Sequence, residues 1–203
     1  MKAAAVGHRP SRHHFFPFVI AASVTGSAFA RNGVSWGTSH DNTLGIDRVG
    51  CGNCDAYKGD TACSVALPVL CLKVDGSPRP NYAVPAICGG VMPCEYYNGW
   101  AQGHVAATMP VAGASLHSIA AADALCASQF GAGWKMAEHH DGKQRSGMGL
   151  NRFCGNATNW NSASPWPASS ASPGGWYFYA YGNLNPDTRY WVKINDRPAN
   201  CWN

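Results

Sequence analysis

Four consecutive residues, Glu138, His139, His140 and Asp141, form the densest group of metal ligands and general bases in the chain. Imidazole and carboxylate groups bind zinc, and either group can move a proton during hydrolysis. Adjacent histidines point to opposite faces of an extended chain, so one site can use both only in a turn. Because Asp141 precedes a glycine, as in many turns, we expect a polar strand end that binds no metal or cofactor. A metal-assisted hydrolase built on these four residues is the alternative.

A second candidate for chemistry is Cys51-Gly-Asn-Cys54, which has the C-x-x-C spacing of redox pairs. In such pairs the first thiol is acidified at the start of a helix. Here glycines flank the cysteines, and the sequence predicts neither a strand before them nor a helix after them. We therefore interpret them as structural cysteines that are bonded elsewhere.

Aromatic residues are the third candidate, since residues 31–203 contain 8 Trp, 8 Tyr and 3 Phe. Residues 176–181 and 189–194 have the aromatic and β-branched content of strands, and we expect them to pair as a hairpin. Strand alternation places Tyr177, Tyr179 and Tyr181 on one face, with Phe178 and Ala180 on the other. A phenol has an apolar ring and a polar hydroxyl and therefore suits a partly solvated surface. The tyrosine face is expected to be the more exposed one.

These aromatics predict a ligand-binding surface that stacks on sugar rings or on a protein partner. Its expected residues on the hairpin are Tyr177, Tyr179, Tyr181 and Trp191. Trp160 and Trp166 would join them from residues 155–175, a polar segment rich in Ser, Pro and Gly. A loop of this length is usually functional or flexible.

A helix is predicted ahead of the first candidate group. Ser115 can cap its start, its body is rich in alanine, and Gly131 and Gly133 end it before a short apolar strand from Trp134. Cys126 lies inside this helix. We predict that it bonds Cys201, near the end of the chain, and so closes the domain.

The front of the chain offers fewer elements. Residues 31–60 are rich in Gly, Asn and Asp and predict a loop with little core. Residues 65–74 predict a strand that Pro68 interrupts or places at an edge, followed by a turn at Asp75-Gly-Ser-Pro. A second short strand is expected at residues 104–109. We take residues 31–110 as a cysteine-rich front half and 111–203 as the back half of a single domain.

Residues 1–30 have the pattern of a signal peptide. Lys2, Arg9 and Arg12 precede an apolar run, and Ala28-Phe-Ala30 forms a small-x-small cleavage site. Without this segment, 12 Lys and Arg face 11 Asp and Glu, a net charge of +1. Such a balance argues against nucleic-acid binding, and no later stretch has the length of a membrane span.

All nine cysteines follow the leader, at positions 51, 54, 63, 71, 88, 94, 126, 154 and 201. Export to an oxidising compartment makes disulfides the expected state, so we predict a secreted or periplasmic protein. Apart from Cys126 with Cys201, the pairings stay open, because eight cysteines alone allow 105 connectivities.

The back half of the chain contains a helix with an internal cysteine, Ala121-Ala-Asp-Ala-Leu-Cys126, followed by Gly133-Trp-Lys-Met136, a long loop, aromatic strands and a terminal cysteine. In these features it resembles the C-type-lectin-like fold and its bacterial secreted relatives. The resemblance covers residues 115–203. Sugar-binding members hold calcium with triplets similar to Asn185-Pro-Asp187 and Ile194-Asn-Asp196. Eight extended steps would separate Asp187 from Asn195 by about 26 Å, so we expect turns there and no calcium site.

Together these patterns predict an α+β fold: one disulfide-stapled domain with a central helix packed on antiparallel strands. The expected function is a secreted, non-enzymatic binding module for a glycan or a cell-surface protein.

Overall fold

The computed structural model describes residues 31–82, 99–139, 141, 177–195 and 197–203. Several predictions therefore fall outside the described residues: the signal peptide, the loop at 155–175 with Trp160 and Trp166, and His140. Cys88, Cys94 and Cys154 lie outside them as well.

The described chain is mixed α+β, with far more sheet than helix. One helix of 12 residues, α1, spans Ile119–Phe130, and a 3-10 turn at Gly113–Ser115 precedes it. Among the described residues, no helix has the length and apolar character needed to cross a bilayer. The strands are β1 (Asn32–Gly33), β2 (Ser35–Asp41), β3 (Ile46–Gly50), β4 (Thr61–Ala62), β5 (Ala66–Leu67), β6 (Leu70–Val74), β7 (Gly99–Ala107), β8 (Val111–Ala112), β9 (Trp134–Met136), β10 (Tyr177–Tyr181) and β11 (Tyr190–Trp191).

Seven of these strands form one sheet in the order β11-β2-β3-β10-β7-β6-β9. Among the paired strands of the described chain, β10 and β7 are the parallel pair. The two edges of this sheet also meet, because Trp191 N–H donates to the Pro68 carbonyl at 2.8 Å and Lys193 N–H donates to the Ala137 carbonyl at 3.0 Å. The sheet therefore curves back on itself, and strands from both halves of the chain enclose one core.

The inner face of the sheet carries the main apolar cluster. Trp36 and Phe178 lie at its centre, with ring centroids 5.8 Å apart. Val34, Val49, Leu70, Leu72, Val105, Ala180, Tyr190, Val192 and Ile194 are also buried there. Ile46, Val49 and Trp36 belong to residues 31–60, so the prediction that this segment is a loop with little core was wrong.

Helix α1 packs outside the sheet, where Ala122 and Cys126 meet Val69, Cys71 and Met136. Its N-cap is Ser118, whose Oγ accepts the Ala121 N–H at 3.1 Å. The predicted cap, Ser115, instead donates to the Ala112 carbonyl. The predicted end is confirmed, since Gly131 is the C-cap with a φ of 96°, a conformation that favours glycine.

Three disulfides join the described cysteines, and they correct the predicted pairing. Cys126 bonds Cys71 of β6, not Cys201, because the helix lies directly on that strand. Cys201 bonds Cys63. Cys51 and Cys54 bond each other rather than distant partners. The bonds are compatible with an oxidising, extracellular compartment.

The predicted C-terminal hairpin was also wrong. Both strands exist, but β10 pairs with β3 and β7, whereas β11 pairs with β2. Other strand predictions hold: β9 begins at Trp134, and the run at 65–74 divides into β5 and β6 on either side of Pro68.

Candidate functional site

A cavity of about 320 Å³ opens where β6, β9 and the segment after β11 meet. Its volume lies at the lower end of the ~300–1,000 Å³ range of small-ligand sites. Its lining combines apolar residues with charged and amide groups. The lining residues are Leu72, Val74, Gly133, Lys135, Met136, Glu138, Asp141, Lys193 and Asn195. We call this site the cavity.

The apolar residues of the lining come from two neighbouring strands. Leu72 and Val74 alternate along β6, and Leu72 lies opposite Lys135 of β9. Leu72 and Val74 belong to the inner cluster of the sheet, whereas Met136 is buried beneath helix α1. Because all three belong to packed clusters, their positions are fixed.

Lys193 supplies a nearly buried positive charge. Its side chain is 9% exposed, and its Nζ lies 2.7 Å from Asp123 Oδ1 on α1. The same carboxylate oxygen accepts the Met136 N–H at 3.0 Å. The ion pair therefore fixes the position of the ammonium. Asp123 also connects helix α1 to β9 and to the segment after β11.

Two carboxylates of the lining are oriented by main-chain donors. Glu138 Oε1 accepts the Asn195 N–H at 3.1 Å. Asp141 Oδ2 accepts the Glu138 N–H at 2.7 Å, and Asp141 N–H donates to the Glu138 carbonyl. These contacts hold Glu138 and Asp141 together after the end of β9, whereas Gly142 of the predicted turn lies outside the described residues.

His139 lies on the other side of that strand end. Its ring is 3% exposed, and its centroid lies 5.5 Å from that of Trp36 in the core. Glu138 and Asp141 line the cavity, so they do not share a site with the His139 ring. Within the described residues, no group of three or more His, Cys, Asp or Glu side chains has the geometry to hold a metal ion.

No family model, curated protein or solved structure matches this chain.

The tyrosine face of β10 differs from the expected open surface. Phe178 and Ala180 are in the core, as predicted, and Tyr177 and Tyr181 are half-buried. Tyr179 is only 8% exposed, because the ring of Tyr82 stacks on it at 4.1 Å between centroids. The hydroxyl of Tyr181 donates to the Pro78 carbonyl.

Trp191 was predicted to contact ligand, but it is a core residue. It is 2% exposed, and its indole N–H donates to the Val111 carbonyl at 3.1 Å. Its strand lies between β2 and the Pro68 segment, so both ring faces are packed. Trp160 and Trp166 lie outside the described residues.

Two arginines lie on the tyrosine face. The guanidinium carbon of Arg48 is 4.0 Å from the ring centroid of Tyr177. That of Arg79 is 3.9 Å from the ring centroid of Tyr82. We call Arg48, Arg79, Tyr82, Tyr177 and Tyr179 the Arg–Tyr surface. Sequence reasoning singled out its β10 tyrosines but missed both arginines.

Ser77, His104 and Asp75 have the residue types of a hydrolytic triad but not its geometry. Ser77 Oγ and Asp75 Oδ2 approach the same imidazole nitrogen, Nε2, at 3.1 and 3.2 Å. In a triad the acid holds the other ring nitrogen. The hydrogen bond from Ser77 lowers the pKa of Asp75. These contacts stabilise the turn between β6 and β7.

An acid–histidine pair is buried under the sheet. Asp47 Oδ1 lies 2.9 Å from His40 Nδ1, and Asp47 Oδ2 accepts the Leu184 N–H at 3.0 Å. Burial raises the pKa of Asp47 in spite of these hydrogen bonds. The pair connects β2, β3 and the segment after β10, which is a structural role.

Sequence reasoning missed Lys193, which lines the cavity, and Asp123, which pairs with it. A signal was present for Lys193, since it is a lone charge within the buried run from Tyr190 to Ile194. Buried lysines are rare unless they are paired.

Proposed function

We propose that this chain is a non-enzymatic binding module that holds a sugar unit of a glycan in the cavity. The observation that carries the proposal is the division of the cavity lining between apolar residues, Leu72, Val74 and Met136, and charged or amide residues.

This division suits a sugar ring. Ring hydroxyls both donate and accept hydrogen bonds, whereas the C–H groups between them are apolar. Carboxylate oxygens on Glu138 and Asp141 are acceptors, the Lys193 ammonium is a donor, and the Asn195 amide is both. The ammonium uses one of its three donors on Asp123, so it keeps capacity for a ligand.

The balance of charge favours a neutral ligand. Lys135 and Lys193 line the cavity together with Glu138 and Asp141, which gives the lining two charges of each sign. A strongly charged ligand would leave one of these groups without compensation, which is costly at a buried site.

We also propose that the back half is C-type-lectin-like and that the protein is secreted or periplasmic. Support for the fold comes from the helix with an internal bonded cysteine that leads into β9. Support for the compartment comes from the leader pattern and the disulfides.

The metal-assisted hydrolase is not favoured. Its predicted ligands, Glu138 and His139, face different environments, since the histidine ring packs on Trp36. Sugar binding by the charged and amide residues of the cavity requires no histidine.

A glycan array probed with the wild type and with Lys193→Met tests the proposal. Methionine keeps the length of the side chain but removes the ammonium, so we expect the signal on bound glycans to fall about tenfold or more. Lys58→Met is the matched control, because Lys58 is an exposed lysine outside the cavity. Unchanged glycan binding by a folded Lys193→Met variant would contradict the proposal.

A further inference from the structure

The Arg–Tyr surface is organised around one cross-strand pair. Arg48 of β3 lies directly opposite Tyr179 of β10 in the antiparallel register, so their side chains extend from the same face of the sheet. Arg48 also covers the ring of the neighbouring Tyr177. Stacking on a tyrosine restricts the plane of the guanidinium and fixes the direction of its N–H groups.

A second guanidinium reaches the same region from the segment after β6. Arg79 stacks on Tyr82, and Tyr82 stacks on Tyr179 with an angle of 25° between the rings. Arg79 also donates to the Tyr82 carbonyl at 3.0 Å, which anchors it. Both positive charges act on the Tyr179 phenol: they lower its pKa, although burial has the larger, opposite effect.

Within the described part of the chain, Arg48 has a ring contact but no carboxylate partner. Its Nε is buried and finds no hydrogen-bond acceptor, and no salt bridge to Arg48 is present among the described residues. Arg189 is a useful contrast. Its guanidinium donates to Ser35, Gly52 and Asp60. A buried donor without an acceptor costs about 1–3 kcal/mol, so such a group is rare unless it serves a ligand or a solvent molecule.

Among the described residues, Asp41 is the acidic residue whose charge acts on Tyr179. Its Oδ1 already accepts the N–H groups of Thr43 and Leu44 in the turn between β2 and β3. The Arg48 guanidinium thus lies beside the Tyr179 phenol without an ion-pair partner in this part of the structure.

We propose that Arg48, Arg79 and the Tyr179 hydroxyl form a second ligand site, which binds an oxyanion group such as a carboxylate or a sulfate. The guanidinium fork matches the two oxygens of such a group, and the phenol adds a third donor. The site is separate from the cavity and does not depend on its ligand. The oxyanion can be a free ion or an acidic group carried by a sugar.

The test is a ¹⁵N–¹H correlation spectrum of the arginine Nε–H groups, recorded at constant ionic strength. Sodium acetate, sodium sulfate and sodium glucuronate are added in separate titrations, with sodium chloride as the reference. We expect the Arg48 signal to shift and saturate with at least one oxyanion, while the hydrogen-bonded Arg189 signal stays in place. Saturation by acetate or sulfate indicates recognition of the oxyanion alone, and saturation by glucuronate only indicates an acidic sugar; both support the site.

Two variants sharpen this test. Arg48→Lys keeps the charge but loses the planar fork, and we expect oxyanion affinity to fall about tenfold. Tyr179→Phe keeps the stacked ring and removes only the hydroxyl, so it should fold normally and bind a few-fold more weakly. An Arg48 signal that follows chloride and the oxyanions alike, without saturation, would overturn the proposal. So would unchanged oxyanion affinity in both variants.

Discussion

The cavity and the Arg–Tyr surface treat charge in opposite ways. In the cavity, Lys193 is paired with Asp123, and Glu138 and Asp141 each accept a main-chain N–H. On the Arg–Tyr surface, the Arg48 guanidinium stacks on a ring and has a buried Nε without an acceptor. Internal pairing orients polar groups while cancelling their field, which suits a neutral ligand. An unpaired cation keeps its attraction for a counter-ion.

The two sites also depend on different supports. The cavity lies where β6, β9 and the segment after β11 meet, and α1 supports it through the pair of Asp123 with Lys193. The Arg–Tyr surface lies on β3 and β10, where Tyr82 stacks on Tyr179. A change that loosens one support should therefore leave the other site intact.

Removing the disulfide between Cys71 and Cys126 is expected to have the largest effect. The bond closes a loop with a sequence separation of 55, and the chain-entropy relation gives a contribution of about 4 kcal/mol for this length. The double variant Cys71→Ala with Cys126→Ala should lower the free energy of unfolding by roughly that amount, as measured by urea denaturation. Glycan binding should weaken because Asp123 and Met136 lose their fixed spacing.

The matched control removes the bond between Cys51 and Cys54, whose separation is only 3. The same relation gives about 2 kcal/mol. This variant should retain glycan binding. If glycan binding is lost only when the bond between Cys51 and Cys54 is removed, the cavity does not depend on the bond between Cys71 and Cys126, contrary to the prediction.

Asn195→Ala should have an intermediate effect that is confined to the cavity. Asn195 is exposed, and the alanine variant keeps the main-chain N–H that Glu138 accepts. Stability should change by less than about 0.5 kcal/mol, while sugar affinity falls about fivefold through the loss of one hydrogen bond. Calorimetric titration measures this change, and equal affinity in wild type and variant would count against a role of the amide.

The smallest expected effect is a loss of stability at alkaline pH, caused by the buried tyrosines of the Arg–Tyr surface. Burial raises the pKa of Tyr82 and Tyr179 above the ordinary value of 10. Because the folded-state pKa is raised, these phenols contribute stability below pH 10 that is lost as the pH rises through their folded pKa. Phenolate absorbance near 295 nm should show Tyr82 and Tyr179 ionising only above pH 10. Ionisation of both near pH 10 in the folded protein would contradict the burial of this stack.

Local patterns predicted several elements, and long-range contacts explain the errors. The end of α1 at Gly131 and the division of residues 65–74 at Pro68 depend on residues close in sequence, and both were predictable. Residues 31–60 look like a loop because Gly, Asn and Asp dominate them, but β2 and β3 gain their burial from β10 and β11, more than a hundred residues away.

The same reason explains the disulfide and hairpin errors. Cys126 meets Cys71 because α1 packs on β6, which no spacing in the sequence reveals. The strands after residue 176 do not pair because β2 and β3 lie between them.

The candidate site was predictable only in part. Glu138 and Asp141 were singled out by residue type, although as metal ligands rather than as polar residues of a cavity lining. Lys193 and Asp123 are separated by 70 residues, and their pairing depends on the closed sheet. The residues next to Arg48 in sequence do not indicate that its Nε–H lacks an acceptor among the described residues. That feature follows from the packing of the folded chain alone.

The central claim is that the cavity holds a neutral sugar, and a ¹⁵N–¹H correlation titration with a panel of neutral monosaccharides tests it most directly. The account predicts saturable shifts of the main-chain signals of Lys135, Glu138 and Asn195 with at least one sugar, and no shift of the Arg48 Nε–H signal. Saturable sugar shifts at Arg48 and Tyr177, with the cavity signals unchanged, would contradict the account. So would the absence of a saturable shift with any sugar in the panel.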